Sequence, residues 1–129
     1  EAGMCIARLK YMEVQPNQDL LNKFLIYYRV LISRGLTQVR NACLCHGIYG
    51  NIEVIRRIMQ MDILSEKDKN QCPNLESFEC SLFENRNDLY LGFCRDFKTD
   101  IFMTGLSGIF YSILREDVTS LPSILFLEV

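Results

Sequence analysis

The sequence predicts an all-α protein, a compact single-domain helical bundle of about five to six helices. Four separate segments have apolar residues recurring at intervals of three and four, each near a residue suited to capping. The sustained apolar and polar alternation of a strand is absent from the sequence. A length of 129 residues with a hydrophobic share of 49% suits one core, so we expect residues 1–129 to form a single helical domain.

The first clear helix is predicted over Asp19–Arg34, and Gly35 ends it. Its apolar residues recur with the helical period and must face a core. They are Leu21, Phe24, Leu25, Tyr28, Leu31 and Ile32.

Two further helices are predicted to follow after very short links. Thr37 is suited to cap a helix that runs to about Tyr49, with Gly50 as its end. Asn51 is suited to cap the next one. The apolar stripe of that helix contains Ile55, Ile58 and Met59.

The most polar stretch, Ser65–Pro73, is predicted to be an ordered surface loop. Beyond it, Asn74 is suited to cap a helix, and Asn87 or Asp88 to cap another. The loop is too short to separate two domains.

The segment Thr99–Arg115 is apolar nearly all round, which predicts an apolar central helix near residues 99–115. Gly105 and Gly108 would let the backbone of a neighbour approach closely. The tail Ser120–Val129 is predicted to be either a final helix or an extended strand, since its periodicity favours neither.

Charge and hydropathy exclude two classes of partner. With 14 basic and 16 acidic residues the formal net charge is −2, so we expect no nucleic-acid partner. The longest apolar windows fall short of the roughly 20 residues that span a bilayer, so we expect no membrane insertion.

Six cysteines are the most informative feature of the composition. Their even number would suit a secreted domain, in which each long-range disulfide contributes roughly 2 to 4 kcal/mol. Six cysteines permit 15 pairings, so the connectivity stays open. They are Cys5, Cys43, Cys45, Cys72, Cys80 and Cys94.

Cys43, Cys45 and His46 form a set of zinc-binding residue types. On the predicted helix, however, residues two apart point to different faces, so Cys45 could not share a metal with the other two. No CxxC pair supplies further ligands. The sequence therefore predicts no metal site and no cofactor.

A catalytic cysteine paired with His46 is the one enzymatic arrangement that the residue types allow. His46 lies where an apolar helix face is expected, so a packed or surface histidine is favoured. The sequence contains no GxSxG, P-loop, GxGxxG or HExxH motif. It therefore predicts no catalytic residues and a protein that is not an enzyme.

Three segments resemble parts of known families. Asp62–Glu66 followed by Pro73–Phe78 resembles the middle of short-chain helical cytokines. Tyr27–Arg29 with Met103–Gly108 resembles poxviral apoptosis-regulator-like domains, in which a partner-binding groove surrounds a central apolar helix. Both imply a helical domain that binds another protein. Ala42–Met59 resembles the helical half of an ankyrin repeat, present once. No family is identified.

These observations lead to two functional hypotheses and a third. The favoured one is a secreted, disulfide-stabilised, cytokine-like protein for signalling or host interaction that captures a receptor or ligand. The alternative is an intracellular, and so cytoplasmic, adaptor or inhibitor with a groove for a partner helix. The third is an enzyme with an unrecognised Cys/His site. The partner's identity and the oligomeric state stay open.

Overall fold

The computed structural model describes residues 2–84, 101–118 and 120–126, and these residues are helical, with no strand among them. The all-α prediction is confirmed. The helices are α1 (Ala2–Val14), α2 (Gln18–Val30), α3 (Ile48–Met59), α4 (Glu66–Lys69), α5 (Leu75–Glu84) and α6 (Leu106–Asp117).

Helix α2 confirms the first predicted helix. Asn17 caps it, its side-chain oxygen accepting a hydrogen bond from the backbone N–H of Asp19 at 2.8 Å. The helix continues as a π-helical turn, Leu31–Gly35, so the chain turns away where Gly35 was expected to end the helix. Phe24 and Tyr28 are completely buried.

Helix α1 was not anticipated from the sequence. It buries Cys5 and Leu9 and packs against α2. The Arg8 guanidinium lies 4.3 Å from the centre of the Tyr27 ring, a cation–π contact between the two helices.

The core lies where α1, α2 and α3 meet, and α3 is its most buried helix. The predicted positions Ile55 and Ile58 are both completely buried, as is Ile52. Burying a side chain of this size stabilises the fold by roughly 1.5 to 3 kcal/mol. The most deeply buried side chains of this cluster are Cys5, Leu9, Phe24, Tyr28, Leu31, Ile48, Ile52, Val54, Ile55 and Ile58.

The helix predicted from Thr37 to Tyr49 is wrong. Residues 38–47 contain only turns and irregular backbone, and α3 begins at Ile48. Gly50 and Asn51, expected to end one helix and cap the next, both lie buried inside α3.

The polar stretch Ser65–Pro73 contains the short helix α4. The Ser65 side chain caps it by accepting from the Asp68 N–H, and Arg29 of α2 binds the Asp68 carboxylate at 2.8 Å. The predicted cap at Asn74 is confirmed, since its side-chain oxygen accepts from Ser77 N–H at 2.8 Å. The helix predicted after Asn87 or Asp88 lies outside the described residues.

The apolar segment forms α6, which begins at Leu106 because residues 102–104 make a turn. The structure does not confirm a central position for this helix. Phe110 is 65% exposed and Leu114 is 50% exposed, whereas Ile109 is buried against the core. Residues 120–126 of the tail form turns, neither helix nor strand.

Two buried clusters of ion pairs join the later helices to α3. Glu53 of α3 pairs with Arg115 of α6 and accepts a hydrogen bond from the Ser123 hydroxyl at 2.7 Å. Arg56 of α3 pairs with Glu79 of α5 and with Glu116 of α6; these five residues and Ser123 form the α3 ion-pair clusters. Within the described residues, no helix has the length and apolar character needed to cross a membrane.

Candidate metal centre

The segment before α3 folds back on itself as a tight turn. Asn41 starts it: its side-chain oxygen accepts from Cys43 N–H at 2.8 Å and its main-chain oxygen accepts from Ile48 N–H at 2.7 Å. The N–H of Gly47 then donates to the Cys43 carbonyl at 3.1 Å. We call residues 41–47 the α3 turn. These bonds place the side chains of its middle residues close together.

Glycine is required at two places in this turn because backbone approaches backbone. A Cβ on Gly47 would lie 2.4 Å from main-chain atoms of Asn41 and Cys43. A Cβ on Gly50 would lie 1.9 Å from the carbonyl oxygen of Leu44. Neither contact can be relieved by moving a side chain, so the turn has its shape only with glycine at both positions.

The turn brings together the three residues that the sequence analysis considered and set aside as a metal site. Cys43 Sγ lies 3.6 Å from Cys45 Sγ and 3.5 Å from His46 Nδ1. Cys45 Sγ lies 2.7 Å from the same nitrogen. The argument against a shared metal assumed a helix here, and that assumption does not hold in the structure.

The three donor atoms fit a tetrahedral zinc ion. Zinc binds cysteine sulfur at about 2.3 Å, so two ligating sulfurs lie about 3.8 Å apart, and a sulfur and a nitrogen slightly closer. The two distances from Cys43 Sγ match these values. The contact between Cys45 Sγ and His46 Nδ1 is shorter and would have to open by less than about 1 Å. Among the described residues, this is the group of cysteine, histidine and acidic side chains that could hold a metal.

Burial differs across the cluster. Cys43 is completely buried, whereas Cys45 and His46 are exposed. One side of the cluster is therefore closed by protein and the other is open to an incoming molecule. Catalytic zinc sites have this form, with three protein ligands and one position left for water or substrate.

The electrostatics of Cys45 argue against a cysteine nucleophile. Burial raises the pKa of the Cys45 thiol to about 11, and the neighbouring Cys43 sulfur adds to the shift. An activated nucleophile has a lowered pKa instead. A bound cation would reverse this preference, because metal ligation deprotonates thiols.

The turn before α6 closes over the metal cluster from the other side. The Cys45 N–H donates to the carbonyl oxygen of Met103 at 3.0 Å. A Cβ on Gly108 would lie 1.9 Å from the Phe102 carbonyl oxygen and 3.1 Å from the Leu44 Cβ. The glycine noticed in the sequence for close backbone approach therefore serves to fold the α6 turn and seat it on the α3 turn.

The cysteines form no disulfide in the described part of the chain. Those of α1, the α3 turn, α5 and the segment before it are all reduced thiols, which contradicts the expected disulfide framework. Cys94 lies outside the described residues. The reduced thiols are Cys5, Cys43, Cys45, Cys72 and Cys80.

Comparison with known proteins adds an independent finding. The family model described as lanthionine synthetase C-like protein matches residues 1–128. The lacticin 481/lactococcin biosynthesis protein LcnDR2 of Lactococcus lactis subsp. lactis is 29% identical over 125 residues. That match covers 89% of this chain and 13% of the relative, so the chain spans a small part of that protein. No solved structure matches.

These matches contradict the functional predictions made from the sequence. They point to a family of biosynthetic enzymes, so the secreted, cytokine-like binder and the helix-binding adaptor are both wrong, as is the prediction that the protein is not an enzyme. The enzyme hypothesis with a Cys/His site had been placed last. The overlooked signal was the pair of glycines, Gly47 and Gly50, directly after Cys45-His46, which favours a turn over a helix.

Proposed function

Because this chain belongs to the lanthionine synthetase C-like family, we propose that it supplies the zinc-binding turn of an enzyme that forms lanthionine cross-links in a peptide. The observation that carries the proposal is the convergence of Cys43 Sγ, Cys45 Sγ and His46 Nδ1 on one exposed turn. The relative's role in lacticin biosynthesis supports a peptide substrate.

The chemistry of the product defines what the site must do. Lanthionine consists of two alanine halves joined through one sulfur atom. It forms when a cysteine thiol adds to the double bond of a dehydroalanine residue. A carbon–sulfur bond forms at the β-carbon, the carbon–carbon π bond breaks, and a proton is added at the α-carbon. Nothing is oxidised or reduced overall, so the reaction needs a thiolate and a proton donor.

The residues of the α3 turn suit the thiolate half of this reaction. Cys43, Cys45 and His46 would hold zinc, which supplies a positive charge that lowers the pKa of a bound substrate thiol. Buried Cys43 anchors the site from the protein side. The exposed side chains of Cys45 and His46 leave the other side open to a peptide cysteine.

The proposal covers this step alone. The chain spans 13% of the relative's length, so we assign it the thiol-binding metal site and leave the α-carbon proton donor unassigned. Cys45 is not assigned the role of a nucleophile, because its raised pKa keeps its own thiol protonated near neutral pH.

Metal content tests the proposal directly. The purified chain is loaded with zinc, dialysed, and assayed for metal by mass spectrometry and by competition with a chromophoric chelator. We expect one zinc per chain, lost in Cys45→Ser and in His46→Ala. Cys80→Ser is the matched control, since Cys80 is an exposed thiol on α5. Equal zinc in Cys45→Ser and Cys80→Ser would overturn the assignment.

Activity is tested with a peptide that carries one dehydroalanine and one cysteine. Addition leaves the peptide mass unchanged and removes its one alkylatable thiol, so alkylation followed by mass spectrometry counts the product. We expect zinc-dependent loss of the thiol in the longer protein that contains this chain. Persistence of that activity after His46→Ala would contradict the role of the α3 turn.

A further inference from the structure

Asn41 connects the two ends of the metal cluster. Its side chain is 5% exposed, its oxygen accepts from Cys43 N–H at 2.8 Å, and its amide nitrogen lies 3.1 Å from His46 Nε2. Its main-chain oxygen accepts from the N–H of Ile48, the first residue of α3. One buried side chain therefore touches both a cysteine and the histidine of the proposed site.

We propose that Asn41 is a positioning residue that holds the His46 ring with Nδ1 towards the two sulfurs. The inference rests on the proposed function. An imidazole ring presents either nitrogen to a metal, and the contact made by the other nitrogen decides which one. Asn41 makes that contact, because it occupies the Nε2 edge of the ring and leaves the Nδ1 edge facing Cys43 and Cys45.

The polarity of this contact makes the proposal specific. The Asn41 oxygen is engaged by Cys43 N–H, so the group facing Nε2 is the amide N–H, a donor. A metal on Nδ1 requires the ring proton to sit on Nε2, which then needs an acceptor. An aspartate at position 41 would accept from both Cys43 N–H and Nε2–H. Asn41 therefore orients the ring while holding zinc less tightly than an aspartate would.

The structure thus predicts a ranking of zinc affinity with aspartate above asparagine and asparagine above leucine at position 41. We expect Asn41→Leu to weaken zinc binding by about 10- to 100-fold, the usual cost of losing a partner behind a metal-ligating histidine. We expect Asn41→Asp to bind zinc more tightly than the unchanged chain, although it keeps the same side-chain size.

The experiment combines zinc competition against a chelator with the absorption spectrum of the cobalt(II) form, which reports the ligand set rather than activity. The matched control is Asn51→Ala, which removes another buried asparagine whose amide donates to the Gly35 carbonyl at 2.8 Å. The control is expected to lose stability and to keep the zinc affinity and cobalt spectrum of the unchanged chain.

The outcomes separate this inference from the proposed function. If the unchanged chain binds neither zinc nor cobalt(II), the proposed site fails and the role of Asn41 fails with it. If it binds both and Asn41→Leu matches Asn51→Ala, only the positioning role is overturned. Weaker zinc binding by Asn41→Asp than by Asn41→Leu would also overturn it.

Discussion

Helices α3 and α6 begin in the same way, and only one of them carries metal-binding residues. Each starts after an extended glycine, Gly47 or Gly105, and each has a second glycine three residues later. A Cβ on that second glycine would lie 1.9 Å from a carbonyl oxygen six residues earlier in both cases, that of Leu44 for Gly50 and that of Phe102 for Gly108. The backbone of the turn is therefore a repeated unit.

The side chains differ where the chemistry would be. Cys45-His46 in the α3 turn corresponds to Met103-Thr104 in the α6 turn. Met103 instead contributes its carbonyl oxygen, which accepts from Cys45 N–H. The comparison teaches that the turn is a scaffold and that function depends on the residues placed on it. In this chain one copy carries the candidate ligands and the other supports them.

The largest effect is expected where the two turns are most alike. Gly50→Ala and Gly108→Ala each place a Cβ against a carbonyl oxygen, and backbone must move to relieve the contact. We expect each substitution to lower the free energy of unfolding by more than about 4 kcal/mol, or to prevent folding. Urea denaturation measures this. Gly3→Ala is the control, because a Cβ there meets nothing within 4 Å. Normal stability of Gly50→Ala would show that the turn adopts another shape.

The next effect concerns how the two helices are held together. Arg115→Met removes the partner of Glu53, whose residue is only 3% exposed, and leaves a buried carboxylate. We expect a loss of about 3 kcal/mol, typical of breaking a buried pair. Lys10→Met, which breaks an exposed pair with Glu13, should cost less than about 1 kcal/mol. Similar denaturation midpoints for the two variants would contradict the importance of the α3 ion-pair clusters.

Helix periodicity predicted the parts of this fold that local sequence controls. The buried stripe of Ile55 and Ile58 and the cap at Asn74 appear where the sequence placed them. The α3 turn could not be predicted in this way. Its residues Ala42, Cys43 and Leu44 are as apolar and as buried as a helix face.

What makes this segment a turn is non-local or depends on single atoms. The Cys45 N–H bonds to Met103, which is far along the chain, and Gly50 is required by its contact with one carbonyl oxygen. Helix periodicity detects neither feature. The same error hid the candidate site, because Cys43 and Cys45 converge only when the helix is absent.

Zinc binding should distinguish the two turns by its effect on stability. At a zinc concentration 100 times the dissociation constant, we expect about 2.7 kcal/mol of added stability. His46→Ala should abolish this gain, whereas Thr104→Ala, at the corresponding position of the α6 turn, should keep it. The gain should shrink as the pH falls, because protons compete with zinc for the ligands. Thermal melts at several pH values measure it, and equal gains in both variants would refute the difference between the turns.

The smallest effect is a difference in thiol reactivity between corresponding positions. Burial and the nearby Cys43 sulfur raise the pKa of the Cys45 thiol to about 11. At pH 8 its thiolate fraction is then lower by about a hundredfold than for an ordinary cysteine with a pKa near 8.5. The greater nucleophilicity of a high-pKa thiolate offsets part of this. We therefore expect the metal-free chain to be alkylated at Cys45 about tenfold more slowly than an unstructured peptide, with the rate rising up to about pH 11. Met103→Cys places a thiol on the α6 turn, where the corresponding neighbour is Ile101 instead of a cysteine. Made in a Cys45→Ser background, it should react faster than Cys45 in the unchanged chain. Equal rates would mean that the paired sulfurs of the α3 turn do not create its distinct chemistry.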